Sequence, residues 1–172
     1  MLYVVEQEVT RVLEIRTVGD EVLRRKSKPV KAVNSSIRRL LDEMAETMQH
    51  ESGIGLAAPQ VGIAKRVLVA DVGEGLIELI NPEILFAEGN QVGLEGCLSI
   101  PDVVGEVSRA QSVRLTGLNR DGHQVWIEAN GLLARCLQHE IDHLDGILFT
   151  DRAIRIVSEE ELQERRKEVV VD

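Results

Sequence analysis

The segment Gly131–Leu144 constrains the fold of this chain most strongly, because it combines an apolar helix with His139, Glu140 and His143. His139 and His143 are four residues apart, so on a helix they point from one face, and Glu140 follows His139 directly. This H-E-x-x-H spacing is typical of a helix that binds a metal ion through two imidazoles, next to a carboxylate that moves protons. Because burial of these groups costs free energy unless they pair or bind a metal, the sequence predicts a metal centre at the middle of the domain.

A metal centre of this kind needs a third protein ligand, and the chain offers two candidates. The three glutamates at 159–161 lie at the start of a predicted helix, where acidic groups already favour the helix dipole. Cys97 follows Gly96, which permits a close approach of the backbone, and it is the better candidate. A Cys/His/His set leaves one position open for water and suits Fe(II), Co(II) or Ni(II) as well as Zn(II). A disulfide between Cys97 and Cys136 is the alternative use of this thiol.

The order of predicted elements favours the α+β class over a regular alternation of strand and helix. With 172 residues the chain has the length of one domain, 1–172, with its own core. Apolar residues at helical spacing predict a helix from about 36 to 52, capped by Asn34 or Ser35. A capping-box pattern predicts a mostly exposed C-terminal helix over 158–168. The other predictions are an N-terminal extension or edge strand at 1–10, a loop at 53–60, strands at 66–70 and 76–80, and a hairpin of 113–118 with 124–129.

Charge and composition exclude several classes of partner. The formal net charge of -9 argues against general binding to DNA or to anionic membranes. The aromatic content of 2% leaves few side chains on which bases could stack. No apolar run approaches the roughly 20 residues that span a bilayer, and the first residues show no secretory signal pattern. We therefore expect a cytoplasmic protein with no DNA or membrane partner.

Three segments together resemble the motifs of the peptide deformylase family, in the order in which the family carries them. They are Gly-Ile-Gly-Leu-Ala-Ala-Pro-Gln at 53–60, Glu-Gly-Cys-Leu-Ser at 95–99 and Gln-His-Glu-Ile-Asp-His-Leu at 138–144. The resemblance covers about residues 11–152. It implies an α+β fold in which antiparallel strands pack around the central helix that carries HExxH, with a further C-terminal helix. It also implies a metal-dependent hydrolase that removes the N-formyl group from the formyl-methionine of newly made polypeptides and releases formate.

The resemblance also assigns roles to single residues. It implies that Cys97, His139 and His143 are the metal ligands and that Glu140 is the general acid and base. It further implies that Gln60 and the backbone N–H of Leu98 stabilise the oxyanion, and that the backbone of Gly55 contacts the substrate. The implied cofactor is one divalent ion, Fe(II) in the native enzyme, with Zn(II), Ni(II) or Co(II) as substitutes. The implied partners are N-formyl-methionyl nascent peptides and, through the C-terminal helix, a transient contact with the ribosome.

The methionine side chain of such a substrate needs an apolar slot, for which Ile54, Leu132 and Cys136 are candidate lining residues. Arg135 departs from the family pattern, since some relatives carry an apolar residue there, and we expect it near the pocket mouth. An imidazole ligand usually donates its other N–H to a carboxylate or carbonyl. Glu95 and Asp142 are available for this, and Arg109 could pair with either of them; for each, a purely structural ion pair is the alternative.

Two further functions remain open on the sequence. The first is a zinc peptidase or amidase that uses the same helix with a different third ligand. The second is a binding module that the metal only stabilises. Replacement of Cys97 or Glu140 separates these functions from deformylation, because only the deformylase needs both residues.

Overall fold

The computed structural model describes residues 10–169 of the chain. The predicted extension at 1–10 therefore lies almost wholly outside the described residues, as does the tail at 170–172. The described part belongs to the α+β class, as predicted, with both helices and antiparallel strands. Its helices are α1 (Ser35–His50), α2 (Gly131–Leu144), α3 (Phe149–Arg152) and α4 (Glu159–Val169). Its strands are β1 (Gly55–Ala57), β2 (Val67–Ala70), β3 (Ile77–Glu88), β4 (Gln91–Cys97), β5 (Ile100–Arg109), β6 (Ser112–Leu118), β7 (Gln124–Asn130) and β8 (Ala153–Ile156).

The strands form two sheets. The larger sheet has the order β1-β2-β3-β6-β7 and the smaller one has the order β4-β5-β8, and all pairings within them are antiparallel. The hairpin predicted around residues 121 and 122 is confirmed as β6 and β7, with Gly122 at a φ of 79° in the turn. Among the described residues no helix combines the length and the apolar character that a membrane crossing requires.

Strand β2 lies between the two long helices, and its side chains alternate between them. Val67 and Val69 belong to the apolar cluster that includes the buried stripe of α1, whereas Leu68 and Ala70 belong to the cluster that includes α2. Successive side chains of a strand point to opposite faces, so a strand covered by a helix on each side is apolar throughout. The larger sheet thus separates α1 from α2, and α2 lies on the side of the sheet opposite to α1.

Helix α1 confirms the prediction from the sequence almost residue for residue. The side chain of Asn34 caps it by accepting a hydrogen bond from the N–H of Ile37 at 3.1 Å. The predicted apolar stripe is buried throughout: Ile37, Leu40, Leu41, Met44 and Met48. At the other end the N–H of Gly53 donates to the carbonyl of Met48 at 2.9 Å, which turns the chain into β1.

The C-terminal helix is also confirmed. The hydroxyl of Ser158 accepts from the N–H of Glu161 at 3.3 Å, as a capping box requires. The Glu161 carboxylate pairs with Arg165 one turn later, at 2.6 Å, and with Arg155 of β8. These partly exposed pairs link α4 to β8 of the smaller sheet.

Three predictions about the strands were wrong or incomplete. The loop predicted at 53–60 contains β1, which pairs with β2, and a 3-10 helix over Ala58–Val61. The strand predicted to end at residue 80 continues through Pro82, because the pairing of β3 with β6 shifts register there and Asn81 adopts a φ of 51°. No pattern in the sequence predicted β4, β5 and β8, which are defined by their pairing in the order β4-β5-β8.

Candidate active site

The metal-binding atoms of Cys97, His139 and His143 lie close together, next to the turn that joins β4 to β5 in the smaller sheet. The ring nitrogens Nε2 of His139 and His143 lie 3.2 Å apart, and Sγ of Cys97 lies 3.3 Å from Nε2 of His143. All three donor atoms are within 4.8 Å of one another. Helix α2 supplies the two histidines, and Cys97 is the last residue of β4, held by its pairing with Ile100 across a two-residue turn.

The donor set fits a divalent metal ion. With metal–nitrogen distances of about 2.0–2.1 Å and a metal–sulfur distance of about 2.3 Å, tetrahedral coordination places donor atoms about 3.3–3.6 Å apart. Burial lowers the pKa of His139, but its hydrogen bonds to Cys97 and Glu95 and the nearby Glu140 carboxylate raise it to about 10. The surroundings of His139 therefore favour positive charge, which a cation between the three donors supplies. Both cysteines are free, so the alternative of a disulfide between Cys97 and Cys136 is wrong.

The glutamates at 159–161 are not part of this cluster. Glu161 is held by Arg155 and Arg165 at the surface, as the capping-box interpretation requires. The grouping of metal-binding side chains found among residues 10–169 is that of Cys97, His139 and His143.

A network of buried charges orients the first histidine. Nδ1 of His139 lies 3.0 Å from the Glu95 carboxylate, which fixes the ring so that Nε2 faces the other two donors. Arg109 donates to both oxygens of Glu95, at 2.8 and 2.9 Å, and to Asp142 at 2.6 Å. Asp142 also accepts from Arg152 at 2.6 and 2.8 Å. Arg109 therefore pairs with both carboxylates that the sequence proposed as partners.

The ion pairs and the burial of this network shift the pKa values of Glu95 and His143. Burial acts to raise the pKa of the Glu95 carboxyl, but the hydrogen bonds from Arg109 and His139 outweigh it and hold the pKa well below its usual range. Burial, together with the charges of His139 and Arg109, lowers the pKa of His143 well below its ordinary value. Glu95 is thus ionised, and His143 is neutral with a free lone pair, as a metal ligand must be.

Glu140 is buried beside the three donor atoms. Burial raises the pKa of its carboxyl to about 7, and the Glu95 and Asp142 carboxylates add to this while His139 and Arg109 oppose it. Its Oε2 has no hydrogen-bond partner among residues 10–169. A carboxyl group that changes protonation near neutral pH and keeps a free oxygen is suited to general acid–base work.

Gly55 leaves the space that the Glu140 carboxyl occupies. A Cβ at this position would lie 2.5 Å from Oε1 of Glu140 and 2.8 Å from Sγ of Cys136. Since real Cβ atoms essentially never make contacts this short, only glycine fits here without moving Glu140. The need to leave room for the Glu140 carboxyl therefore explains why residue 55 of the segment 53–60 is glycine.

Gln60 is buried with its amide turned toward the donors. Its Oε1 accepts from the N–H of Ala57 at 2.9 Å, and its Nε2 lies 3.5 Å from Sγ of Cys97 and 3.3 Å from Oγ of Ser99. Leu98 and Ser99 form the turn after Cys97, and Leu98 lines the cleft next to it. Ser99 was not proposed from the sequence, although it lies inside the Glu-Gly-Cys-Leu-Ser motif.

A cleft of about 470 Å³ opens onto these groups. Ile54, Leu132 and Cys136, the predicted lining residues, all line it, and Leu94 and Val103 extend its apolar surface. Ile54 and Leu132 are 44% and 54% exposed, so they form the rim. The Cys136 thiol lies deeper and donates to the carbonyl of Ile54 at 3.3 Å; burial raises the pKa of this thiol, which therefore stays protonated.

Arg135 does not lie at the mouth of the cleft, where the sequence placed it. Its side chain is buried, and its Nη1 donates to Glu95 and to the carbonyl of Val107, at 2.8 and 3.0 Å. Its Nη2 donates to the carbonyl of Gln91 at 3.2 Å. The Arg135 side chain points into the protein because a buried carboxylate and two strand carbonyls accept its hydrogen bonds there.

Comparisons with known proteins agree with this geometry. The family model described as "Polypeptide deformylase" matches residues 12–159. The peptide deformylase of Thermoanaerobacter pseudethanolicus is 58% identical over 155 residues, which are 90% of this chain and 97% of the relative. The crystal structure of the Thermotoga maritima peptide deformylase superposes with a TM-score of 0.83 at 43% identity, covering 84% of this chain and 99% of that one. The Met-Ala-Ser-bound class I type b peptide deformylase from Acinetobacter baumannii has a TM-score of 0.79 at 36% identity, with coverages of 83% and 99%.

Proposed function

The chain belongs to the polypeptide deformylase family, and we propose that Cys97, His139, His143 and Glu140 carry out the reaction of that family here. The enzymes of the family are metal-dependent hydrolases, and this chain removes the N-formyl group from newly made polypeptides. The observation that supports the assignment of residues is the convergence of the three donor atoms within 4.8 Å. The peptidase with a different third ligand loses its support, because the glutamates at 159–161 lie outside this cluster.

The metal site is proposed to consist of Cys97, His139 and His143. When bound, the divalent ion supplies Lewis acidity that makes water acidic enough to give up a proton near neutral pH. We propose Fe(II) as the native ion on the family resemblance, and Zn(II), Ni(II) and Co(II) suit the same donors. Metal analysis of anaerobically purified protein tests this assignment, and an ion other than iron as the main component would contradict it.

Glu140 is proposed to move the proton during hydrolysis. Its carboxylate accepts a proton from the attacking water and then delivers it to the leaving amine of methionine. The pKa of about 7 suits both steps, because the group gives and takes a proton with similar ease at neutral pH. The carboxyl lies close to Gly55, where an added Cβ would come within 2.5 Å of its Oε1.

Gln60 and the N–H of Leu98 are proposed to stabilise the oxyanion that develops on the formyl oxygen. The amide orientation of Gln60 supports this role, since its Oε1 is occupied by Ala57 and only its N–H donors face the Cys97 side of the cleft. Ile54, Leu132 and Cys136 are proposed to line the slot for the methionine side chain, and the backbone of Gly55 to contact the peptide. The Acinetobacter baumannii relative was solved bound to Met-Ala-Ser, which supports a peptide that begins with methionine as the ligand of this cleft.

The remaining proposals concern the whole chain. Residues 1–172 are proposed to form one catalytic domain, because the site takes Gly55 from the larger sheet, Gln60 from the 3-10 helix that follows β1, and Cys97 from the smaller sheet. A cytoplasmic location and a transient ribosome contact through α4 are proposed from the substrate, which is made on the ribosome. Co-sedimentation with ribosomes, with a variant that lacks residues 158–172 as the control, tests the contact.

The test of the activity is the release of formate from formyl-Met-Ala-Ser by anaerobically purified protein loaded with Fe(II) or Ni(II). The Glu140→Gln variant should keep its fold and metal while its turnover falls by about 10²–10⁴-fold. Parental turnover in a metal-loaded Glu140→Gln variant would remove Glu140 from the proposed mechanism. It would not affect the assignment of the metal ligands, which metal analysis tests separately.

A further inference from the structure

Arg135 shares a helix face with residues of the cleft. Leu132, Arg135, Cys136 and His139 have the spacing i, i+3, i+4, i+7, which forms one stripe along α2. All four line the cleft, from the exposed Leu132 at the rim to the buried His139 at the metal site. Arg135 therefore belongs to the wall against which the methionine side chain of the proposed function would lie.

The guanidinium of Arg135 lies over Gly93 of β4, a position without a side chain. Gly93 and Glu95 are two residues apart on β4, so their side-chain positions are on the same face of the strand. A Cβ at Gly93 would lie 3.1 Å from Nη2, 3.2 Å from Cζ and 3.3 Å from Nε of Arg135. The guanidinium thus lies flat over the glycine, and Arg135 lines the cleft whereas Gly93 beneath it does not.

The position of Arg135 is fixed, although Glu95 does not need it as a partner. Arg109 already donates to both oxygens of Glu95, and His139 lies against the second of them. Arg135 adds a second cation to Oε1 and is held further by two strand carbonyls. Such a side chain acts as a rigid part of the wall, because three acceptors fix its planar fork.

We propose that Arg135, seated on Gly93, closes the far end of the methionine slot and sets the length of side chain that the enzyme accepts at the formylated residue. This inference rests on the proposed function and adds a specificity-determining residue to it. Without the guanidinium the slot continues over Gly93, where β4 has no side chain. With it, a chain longer than methionine meets a fixed polar group.

The test uses three formylated tripeptides whose first side chain grows by one non-hydrogen atom at each step: norvaline, which also lacks the sulfur, methionine and ethionine, each followed by Ala-Ser. Because one methylene in a pocket changes kcat/KM by about 10–200-fold, the parent should prefer methionine to ethionine by about tenfold or more. In Arg135→Met the preference should fall below about threefold, because the end of the slot is opened. Arg155→Met is the matched control, since Arg155 pairs with Glu106 and Glu161 away from the cleft, and its preference should equal that of the parent.

Gly93→Ala should act in the opposite direction. Its methyl group pushes the guanidinium toward the cleft, so the ratio of kcat/KM for norvaline to that for methionine should rise about threefold or more. Adding Arg135→Met to Gly93→Ala should lower this ratio again to the value of the parent or below it, because the methyl group then displaces no guanidinium. Because Gly93→Ala keeps Arg135, it also tests the inference if the Arg135→Met variant does not fold.

Two results overturn the inference. A parent that accepts ethionine as readily as methionine has no closed slot. An equal fall of kcat/KM for all three peptides in the variants, with unchanged ratios, assigns Arg135 to the fold alone. Both results leave formate release by the parent intact, whereas a metal-loaded parent that releases no formate from any peptide overturns the proposed function and this inference with it.

Discussion

Replacement of Gly55 by alanine probes the position of the Glu140 carboxyl without touching a metal ligand. The added methyl carbon would lie 2.5 Å from Oε1 and 2.9 Å from Cδ of Glu140, where an ordinary contact is about 3.4 Å or more. The carboxyl must therefore move by about 1 Å, since Gly55 is held in the ladder between β1 and β2. Because a misplacement of about 1 Å can cost about 10²-fold in rate, we expect kcat for formyl-Met-Ala-Ser to fall by about that factor.

Metal content and folding distinguish this effect from general damage. The three atoms nearest to the added methyl group belong to Glu140 and Cys136 and not to a metal-binding residue, so the variant should keep one metal ion for each chain. Overpacking should lower its free energy of unfolding by about 1–3 kcal/mol, which urea unfolding measures. Gly96→Ala is the matched control, because a Cβ there meets only a carbonyl oxygen of Val103 at 3.7 Å. A Gly55→Ala enzyme with kcat within about threefold of the parent would refute the argument that this glycine positions the general base.

Three further variants test the other parts of the site. Cys97→Ser should lose its metal to a chelator that leaves the parent loaded, because a hydroxyl is a far poorer ligand than a thiolate; equal retention would favour a different third ligand. Glu95→Gln should lower metal affinity about 10–100-fold in chelator competition, since His139 loses its charged partner, and unchanged affinity would contradict the orienting role. Gln60→Leu should lower kcat about 10²–10³-fold with normal metal content, and an unchanged kcat would exclude Gln60 from the oxyanion contact.

The sequence predicted those parts of the structure that depend on local periodicity. Helices α1 and α2 were placed within two residues of their ends, because their apolar positions recur at helical spacing and cap residues flank them. The convergence of His139 and His143 follows from the same periodicity. The approach of Cys97 to the two histidines does not follow from periodicity. It depends on the packing of α2 against β4, and Cys97 and His139 are 42 residues apart in the sequence.

The strands that the sequence did not reveal lack a local signal. Strand β4 contains Gly93 and Gly96, and β5 contains Pro101 and Gly105, which are residues that a strand pattern normally avoids. The two strands pair with each other across a two-residue turn, and β5 also pairs with β8, about 50 residues further along the chain, so pairing and not a residue pattern defines them. The position of Arg135 was misjudged for a similar reason, because its acceptors, Glu95 and the carbonyls of Gln91 and Val107, lie on those two strands.

The buried ion pairs join the catalytic geometry to the stability of the fold. Glu95 of β4, Arg109 of β5 and Asp142 of α2 form one chain of hydrogen bonds, and these elements also supply Cys97 and His139. Burial makes each charge costly without its partner, so the network is stable only when the smaller sheet and α2 have one relative position. That position brings the thiolate within reach of the two imidazoles. Since the partly exposed pairs of Arg155 have the same chemistry but contribute little, burial rather than the number of ion pairs is what makes this network define the site.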